Sequence, residues 1–139
     1  MFRLNPLDFE ELVRQGIEEI PQKFRDKMKN VDILVEGWPS SEQLKQARVS
    51  AGCLLFGLYQ GVPQTKRGVY YANVLPDKIT LFQGSIEAVA KTPGEIKAKV
   101  RQTVWHEIAH HFGIGEKEVR ELEKKKFSYS IKKMNLKLH

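Results

Sequence analysis

Apolar positions near the start of the chain recur at helical spacing. A helix is predicted to begin with Asn5 as its N-cap and Pro6 as its first residue. Pro21 interrupts the pattern, and Phe24 and Met28 continue the apolar face beyond it. The apolar residues on one face of this helix are Phe9, Leu12, Val13, Ile17 and Ile20. We therefore expect an amphipathic N-terminal helix that packs on a core.

Strand patterns follow in the middle of the chain. Val31, Ile33 and Val35 recur at every second position, which is typical of a strand with one buried face. Residues 37–52 are mostly polar and are predicted to form a loop with a short helix. Leu54–Tyr59 is apolar at both alternating sets of positions, as in a paired inner strand or one at the edge of a cleft. Ile79–Phe82 predicts a further strand.

A long amphipathic helix is predicted after these strands. Thr92 serves as N-cap, Pro93 as the first helical residue and Glu95 as the partner in a capping box. Gly113 supplies the C-terminal stop, so the helix is roughly 18 residues long. Apolar residues recur at every fourth position along it, at Ile96, Val100, Val104 and Ile108. This stripe is expected to face the core.

The elements together predict an α+β fold. A small mixed sheet would pack on the long helix, with one helix at the N-terminus and another from residue 116 to about residue 126. Residues 1–126 are predicted to form one domain, followed by a basic tail at 127–139. Within the tail, residues 127–131 alternate apolar and polar and so are able to add a strand.

Residues 106–110 read His-Glu-Ile-Ala-His at the end of the long helix. Histidines four positions apart lie one turn apart on the same helix face, where both rings can bind one ion. Residue 106 is rotated about 160° from Ile108, so both rings point away from the core stripe. The spacing is that of zinc hydrolases. We predict His106 and His110 as zinc ligands and Glu107 as the catalytic general base.

Catalytic zinc generally has three protein ligands. Gly113 can turn the chain so that Glu116 comes beneath the metal, the offset of the third ligand in the longer pattern HExxHxxGxxH. Glu116 could instead favour the first turn of the next helix through the helix dipole. His111 lies about 100° round the helix from His110 and is expected to pack or cap. The alternatives to Glu116 are Glu118, Glu121, Glu123 and a two-histidine site completed by solvent. Iron or manganese would also suit such a ligand set.

Several segments carry motifs in an order that resembles the minimal zincin-like metallopeptidase family of bacteria, whose members are described as having a matrix-metalloprotease-like domain. The most specific segment is His-Glu-Ile-Ala-His-His-Phe-Gly-Ile, which an acidic residue follows closely. The other segments are Phe9–Pro21, Asn30–Glu36, Leu54–Gly61, Leu75–Phe82 and the turn at Ser85–Glu87. The resemblance extends over roughly residues 7–126.

The resemblance implies a zincin-like fold and a zinc peptidase that acts on a peptide or protein substrate. It implies His106 and His110 as ligands, Glu107 as base and Glu116 as the acidic third position. Two features depart from the family pattern. Gly115 stands where the family usually has Ser or Asp, and the third position is more often Asp than Glu. The family resemblance does not name a substrate sequence.

Charge, cysteine content and hydropathy restrict the classes of partner. The whole net charge of +6 lies in residues 96–139, which hold 11 basic and 5 acidic side chains. A solvated basic tail explains this excess more simply than nucleic-acid binding. The single Cys53 excludes an internal disulfide, and its apolar surroundings predict a buried thiol. We see neither a signal segment nor a membrane-length apolar run, so we expect a cytoplasmic protein without a membrane partner.

Substrates of zincins usually add a strand to the sheet edge beside the active helix. Leu54–Tyr59 or Lys78–Phe82 could provide this edge. Tyr59, Tyr70 and Tyr71 are candidate oxyanion donors, although ordinary packing is the commoner role for each. Met134 is the only downstream methionine for a turn below the metal, and nothing near it indicates such a turn.

Three functions remain open from the sequence. A zinc-dependent peptidase accounts for the most features. A zinc-stabilised binding module without peptidase activity is the alternative, because the chain is small and has no recognisable specificity subdomain. Nucleic-acid binding through the basic C-terminal part is a third, less favoured hypothesis. The sequence does not determine the oligomeric state.

Overall fold

The computed structural model describes residues 3–50, 52–61 and 76–113. The helices are α1 (Pro6–Glu18), α2 (Gln22–Arg25), a 3₁₀ turn (Asp26–Met28), α3 (Ser41–Ala47), α4 (Gln83–Val89) and α5 (Pro93–His111). The strands are β1 (Val31–Glu36), β2 (Gly57–Gln60) and β3 (Asp77–Phe82). The predicted helix at 116–126, the possible strand at 127–131 and the domain boundary at 126 lie outside the described residues.

Helix α1 begins where the sequence predicts. The Asn5 side chain accepts a hydrogen bond from the backbone N–H of Asp8 at 2.9 Å, and Pro6 is the first helical residue. Phe9 and Val13 are buried against the core. Helix α1 ends before Pro21, and the next helix, α2, begins just after it and buries Phe24. The predicted N-terminal helix and its interruption are therefore confirmed.

The three strands form a mixed sheet in the order β1-β3-β2. Strand β3 lies in the centre, parallel to β1 and antiparallel to β2. Its residues from Ile79 to Phe82 are all buried, which explains their unbroken apolar character apart from Thr80. Burial along β1 alternates between half-buried and exposed, as its period-two pattern predicts. A small mixed sheet in an α+β fold is thus confirmed.

The strand predicted at Leu54–Tyr59 is shorter than expected. Strand β2 begins only at Gly57, and residues 52–55 approach the sheet, while the Phe56 carbonyl oxygen already accepts a hydrogen bond from the N–H of Phe82. Cys53 lies in this approach and is exposed. The prediction of a buried thiol is therefore wrong, because apolar neighbours in sequence do not bury a residue that precedes the paired part of a strand.

Helix α4 replaces the turn expected at Ser85–Glu87. The chain passes directly from β3 into this helix, which buries Ser85, Ile86 and Glu87. The Glu87 carboxylate accepts a hydrogen bond from the backbone N–H of Leu4 at 2.6 Å. The amide of Gln83 donates to the carbonyl oxygen of Leu4 at 2.9 Å. These non-local bonds tie the helix to the start of the chain, and the short local sequence gives no sign of them.

Helix α5 is the centre of the core. Its stripe of Ile96, Val100, Val104 and Ile108 is fully buried, as predicted. Helix α1 packs closely against it at Gly16, where a Cβ atom would lie 2.8 Å from the carbonyl oxygen of Lys97. Arg101, almost fully buried, donates to the Glu19 carboxylate at 2.6 Å. The helix that carries the metal motif is therefore anchored on the side opposite its histidines.

No helix in the described part of the chain is long and apolar enough to cross a membrane. The expected location of the protein in the cell stays a prediction.

Candidate metal centre and its cleft

The two predicted histidine ligands lie on the exposed face of α5. Thr92 caps the start of the helix by accepting a hydrogen bond from the Glu95 N–H at 3.1 Å. Gly113 follows its end with a positive φ of 71°, a conformation that glycine adopts without strain. Near this end the rings of His106 and His110 are exposed, with centroids 5.9 Å apart and planes within 18° of parallel.

This arrangement fits a shared metal ion. Two imidazoles that bind one zinc ion at about 2.1 Å need ring centroids roughly 5–6 Å apart. Among residues 3–50, 52–61 and 76–113, no group of three His, Cys, Asp or Glu side chains could hold a metal ion. Glu116 and its alternatives at Glu118, Glu121 and Glu123 all lie outside these ranges, so the third ligand stays a prediction.

Glu107 lies next to this pair and is half-buried. Burial raises the pKa of its carboxyl above the ordinary value. A hydrogen bond from the backbone of Tyr59 and the charge of His110 lower the same pKa, and burial outweighs both. The carboxylate thus reaches from α5 to strand β2 and contacts its backbone.

Strand β2 forms the edge of the described sheet beside α5. The N–H of Phe82 donates to the carbonyl oxygen of Phe56 at 2.9 Å. In an antiparallel pair such bonds alternate along the strand, so the backbone groups of Gly57 and Tyr59 point away from β3. Strand β3 is paired on both sides and cannot offer an edge. Of the two candidate edges in the sequence, the segment containing β2 is the one beside α5.

Tyr59 is held by side-chain packing. Its hydroxyl donates to the Asp77 carboxylate at 2.7 Å, and its ring stacks on His111 with centroids 3.9 Å apart. The Nε2 atom of His111 lies 3.8 Å from the same carboxylate. These contacts match the expected packing roles of Tyr59 and His111. Sequence reasoning missed Asp77, because the contact depends on the β2–β3 register.

The other tyrosines proposed as oxyanion donors, Tyr70 and Tyr71, lie outside the described residues, as does Met134.

A cleft of about 240 Å³ opens directly beside the histidines and Glu107. One wall is residues 54–57, the approach to β2 and its first residue. The other wall is the exposed face of α5, with Lys99, Gln102, Thr103, His106 and Glu107. The predicted base and one predicted ligand therefore line the same open cleft.

The sequence model of the zincin-like metallopeptidase family matches residues 28–126, more than half of the chain. The chain belongs to this family. Its match includes the metal motif, the edge strand and the segment that contains Glu116. The expected family is thereby confirmed, whereas the matrix-metalloprotease-like character and the bacterial origin stay predictions.

A solved structure resembles this zincin-like protein in fold. It is a conserved hypothetical protein from Thermus thermophilus, 26% identical, with a TM-score of 0.52. The alignment covers 78% of this chain and 94% of that one. Among curated proteins, none matches. The comparisons therefore support a family and a fold and do not name a substrate.

Proposed function

We propose that this protein is a zinc-dependent metallopeptidase. The observation that carries the proposal is the position of Glu107. Its carboxylate lies beside His106 and His110 and at the same time contacts the outward edge of β2 at Tyr59. A hydrolase needs its base, its metal ligands and its substrate-binding edge within reach of one another, and the closeness of these residues supports the proposal.

His106 and His110 would hold the zinc ion, with Glu116 as the proposed third ligand. Zinc, when bound, lowers the pKa of water and polarises the scissile carbonyl. Glu107 takes a proton from the attacking water and later delivers it to the leaving amine. The raised pKa of its carboxyl favours the first of these steps, because a carboxylate with a higher pKa is a stronger base.

The substrate would be an extended peptide that adds to the outward edge of β2. Backbone groups of Gly57 point away from β3 on this edge. Backbone hydrogen bonds of this kind bind many sequences, and pockets for side chains then supply selectivity. The cleft between residues 54–57 and α5 lies directly along the same edge.

Metal removal and single-histidine variants test the role of the metal. We expect the purified protein to bind one zinc ion, to lose peptide hydrolysis after chelation and to regain it when zinc is added. His106→Ala and His110→Ala should each lose zinc. His139→Ala, which changes the remaining histidine other than His111, should retain it.

Two results would reject the proposal. One is hydrolysis that survives complete removal of zinc. The other is a zinc-loaded protein that binds peptides and cleaves none of a degenerate peptide library at any concentration. The second result would favour the zinc-stabilised binding module. Salt-sensitive retention on DNA or RNA, lost on removal of residues 127–139, would favour the nucleic-acid hypothesis instead.

A further inference from the structure

The catalytic helix and the edge strand contact each other at three successive places. Lys99 contacts Phe56, Thr103 lies against Gly57, and Glu107 contacts the backbone of Tyr59. Residue numbers increase along both α5 and the edge strand from one contact to the next. Strand β2 with its approach therefore runs alongside α5, and the cleft lies between them.

Lys99 marks the end of this cleft away from the proposed metal. It lies on the same helix face as Thr103, His106 and His110, because the spacings of four, three and four residues correspond to whole turns. Its Nζ atom lies 3.9 Å from the centroid of the Phe56 ring and 3.4 Å from the Oε1 atom of Gln102. The aromatic ring and the amide hold the ammonium group at the cleft wall.

The distance from Lys99 to Glu107 indicates how many substrate residues separate the subsite from the scissile bond. Eight helical residues separate Lys99 from Glu107, which is about 12 Å along the helix axis. An extended peptide covers this distance in three to four residues, at about 3.3 Å each. A side chain at the Lys99 end of the cleft would therefore belong to a residue about three to four positions from the scissile bond.

We propose that the end of the cleft lined by Leu55, Phe56 and Lys99 is a specificity subsite for an acidic side chain of the peptide substrate. The apolar stem of a Glu or Asp side chain would lie against Phe56 and Leu55, and its carboxylate would pair with Lys99. The Gln102 amide is placed beside the ammonium group, where it can donate to the same carboxylate. This subsite rests on the proposed peptidase function, and it gives that function a substrate class: peptides with an acidic residue near the cleavage point.

Binding to the Glu107→Gln protein tests the subsite without relying on cleavage. Three fluorescein-labelled pools of degenerate decapeptides carry Glu, Gln or Lys at one fixed central position, and anisotropy measures their dissociation constants. We expect the Glu pool to bind about five- to tenfold more tightly than the Gln pool and the Lys pool to bind most weakly. The preference should weaken as the salt concentration rises.

Second-site variants of the same protein identify the residue responsible. Lys99→Met keeps an apolar chain against Phe56 and should remove the preference for Glu, whereas Lys99→Arg should retain it. Lys97→Met is the matched control. It removes the same charge from the same helix, two residues away, where Lys97 pairs with Glu19 at 3.1 Å outside the cleft. This control should leave the preference unchanged.

The possible outcomes separate the subsite from the peptidase function. Equal binding of the Glu and Gln pools, a preference that survives Lys99→Met, or no binding by any pool would overturn the subsite. Digestion of the pools by the wild-type protein is the independent arm. Cleavage should place Glu about three to four residues from the cut, always on the same side. Absence of cleavage alongside a Lys99-dependent preference would reject the peptidase and leave the acidic peptide site standing.

Discussion

A Cβ atom at Gly57 would lie 2.6 Å from the Cγ2 atom of Thr103. This distance is shorter than carbon–carbon contacts in proteins allow, so only glycine lets the edge strand approach α5 this closely. The close approach is what brings the Tyr59 backbone within reach of Glu107 two residues later. The geometry of the candidate site therefore depends on a glycine that carries no chemistry of its own.

Gly57→Ala should separate the strand from the helix. We expect a loss of about 1–3 kcal/mol in the free energy of unfolding, because the site is overpacked, together with a fall in peptide hydrolysis. Urea unfolding and initial rates measure the two effects. Gly37→Ala is the control, since a Cβ atom there meets nothing within 4 Å. Equal free energies of unfolding and equal rates for the two variants would show that the close contact at Gly57 affects neither stability nor hydrolysis.

Tyr59→Phe distinguishes packing from catalysis. The variant loses the 2.7 Å hydrogen bond from the hydroxyl to Asp77, which should cost about 1 kcal/mol of stability. It keeps the backbone contact with Glu107, so kcat should remain close to that of the wild type. A fall in kcat of about 100-fold or more without a comparable loss of stability would instead assign Tyr59 as an oxyanion donor.

The raised pKa of Glu107 predicts how stability of the metal-free protein changes with pH. A carboxyl whose pKa is higher in the folded than in the unfolded state stabilises the fold below the unfolded pKa. That contribution is lost as pH rises through the folded pKa. In the presence of a chelator, Glu107→Gln should therefore be more stable than the wild type at pH 7, with a smaller difference at pH 4. Urea unfolding at both values measures this, and a pH-independent difference would contradict it.

Glu116 is the proposed third ligand, and substitution tests it. Changes to groups that only orient ligands already cost about 10–100-fold in metal affinity, so Glu116→Gln should weaken zinc binding at least that much. Glu116→Asp keeps the carboxylate and should retain most of the affinity. Competition with a zinc-sensitive dye measures both. If Gln at position 118, 121 or 123 weakens binding instead, the third ligand is the glutamate at that position.

Local patterns predicted a large part of the fold correctly. The caps at Asn5 and Thr92 act within one helical turn, and the four-residue stripe of α5 reports directly which face is buried. The spacing of His106 and His110 fixes their shared face in the same way. Each of these features depends on residues that are close together in sequence, which is why the sequence alone is sufficient.

Features that depend on distant residues were not predictable. Leu54–Tyr59 and Lys78–Phe82 have similar apolar patterns, and only the pairing of β3 with β1 shows which of them is central. The contact between Tyr59 and Glu107 joins residues 48 positions apart (107 − 59). Cys53 is exposed because strand β2 begins four residues later, at Gly57. A periodic pattern of apolar residues does not show which distant segments pair or contact each other.

Zinc content and peptide hydrolysis, measured together on the wild type and Glu107→Gln, test whether Glu107 is the general base of a zinc peptidase. Glu95→Gln, near the start of the same helix, is the control and should match the wild type in both. We predict that Glu107→Gln binds zinc as the wild type does and loses at least about 100-fold in kcat, the range that general acid–base catalysis contributes. Hydrolysis by zinc-loaded Glu107→Gln at the wild-type rate would show that Glu107 is not the general base.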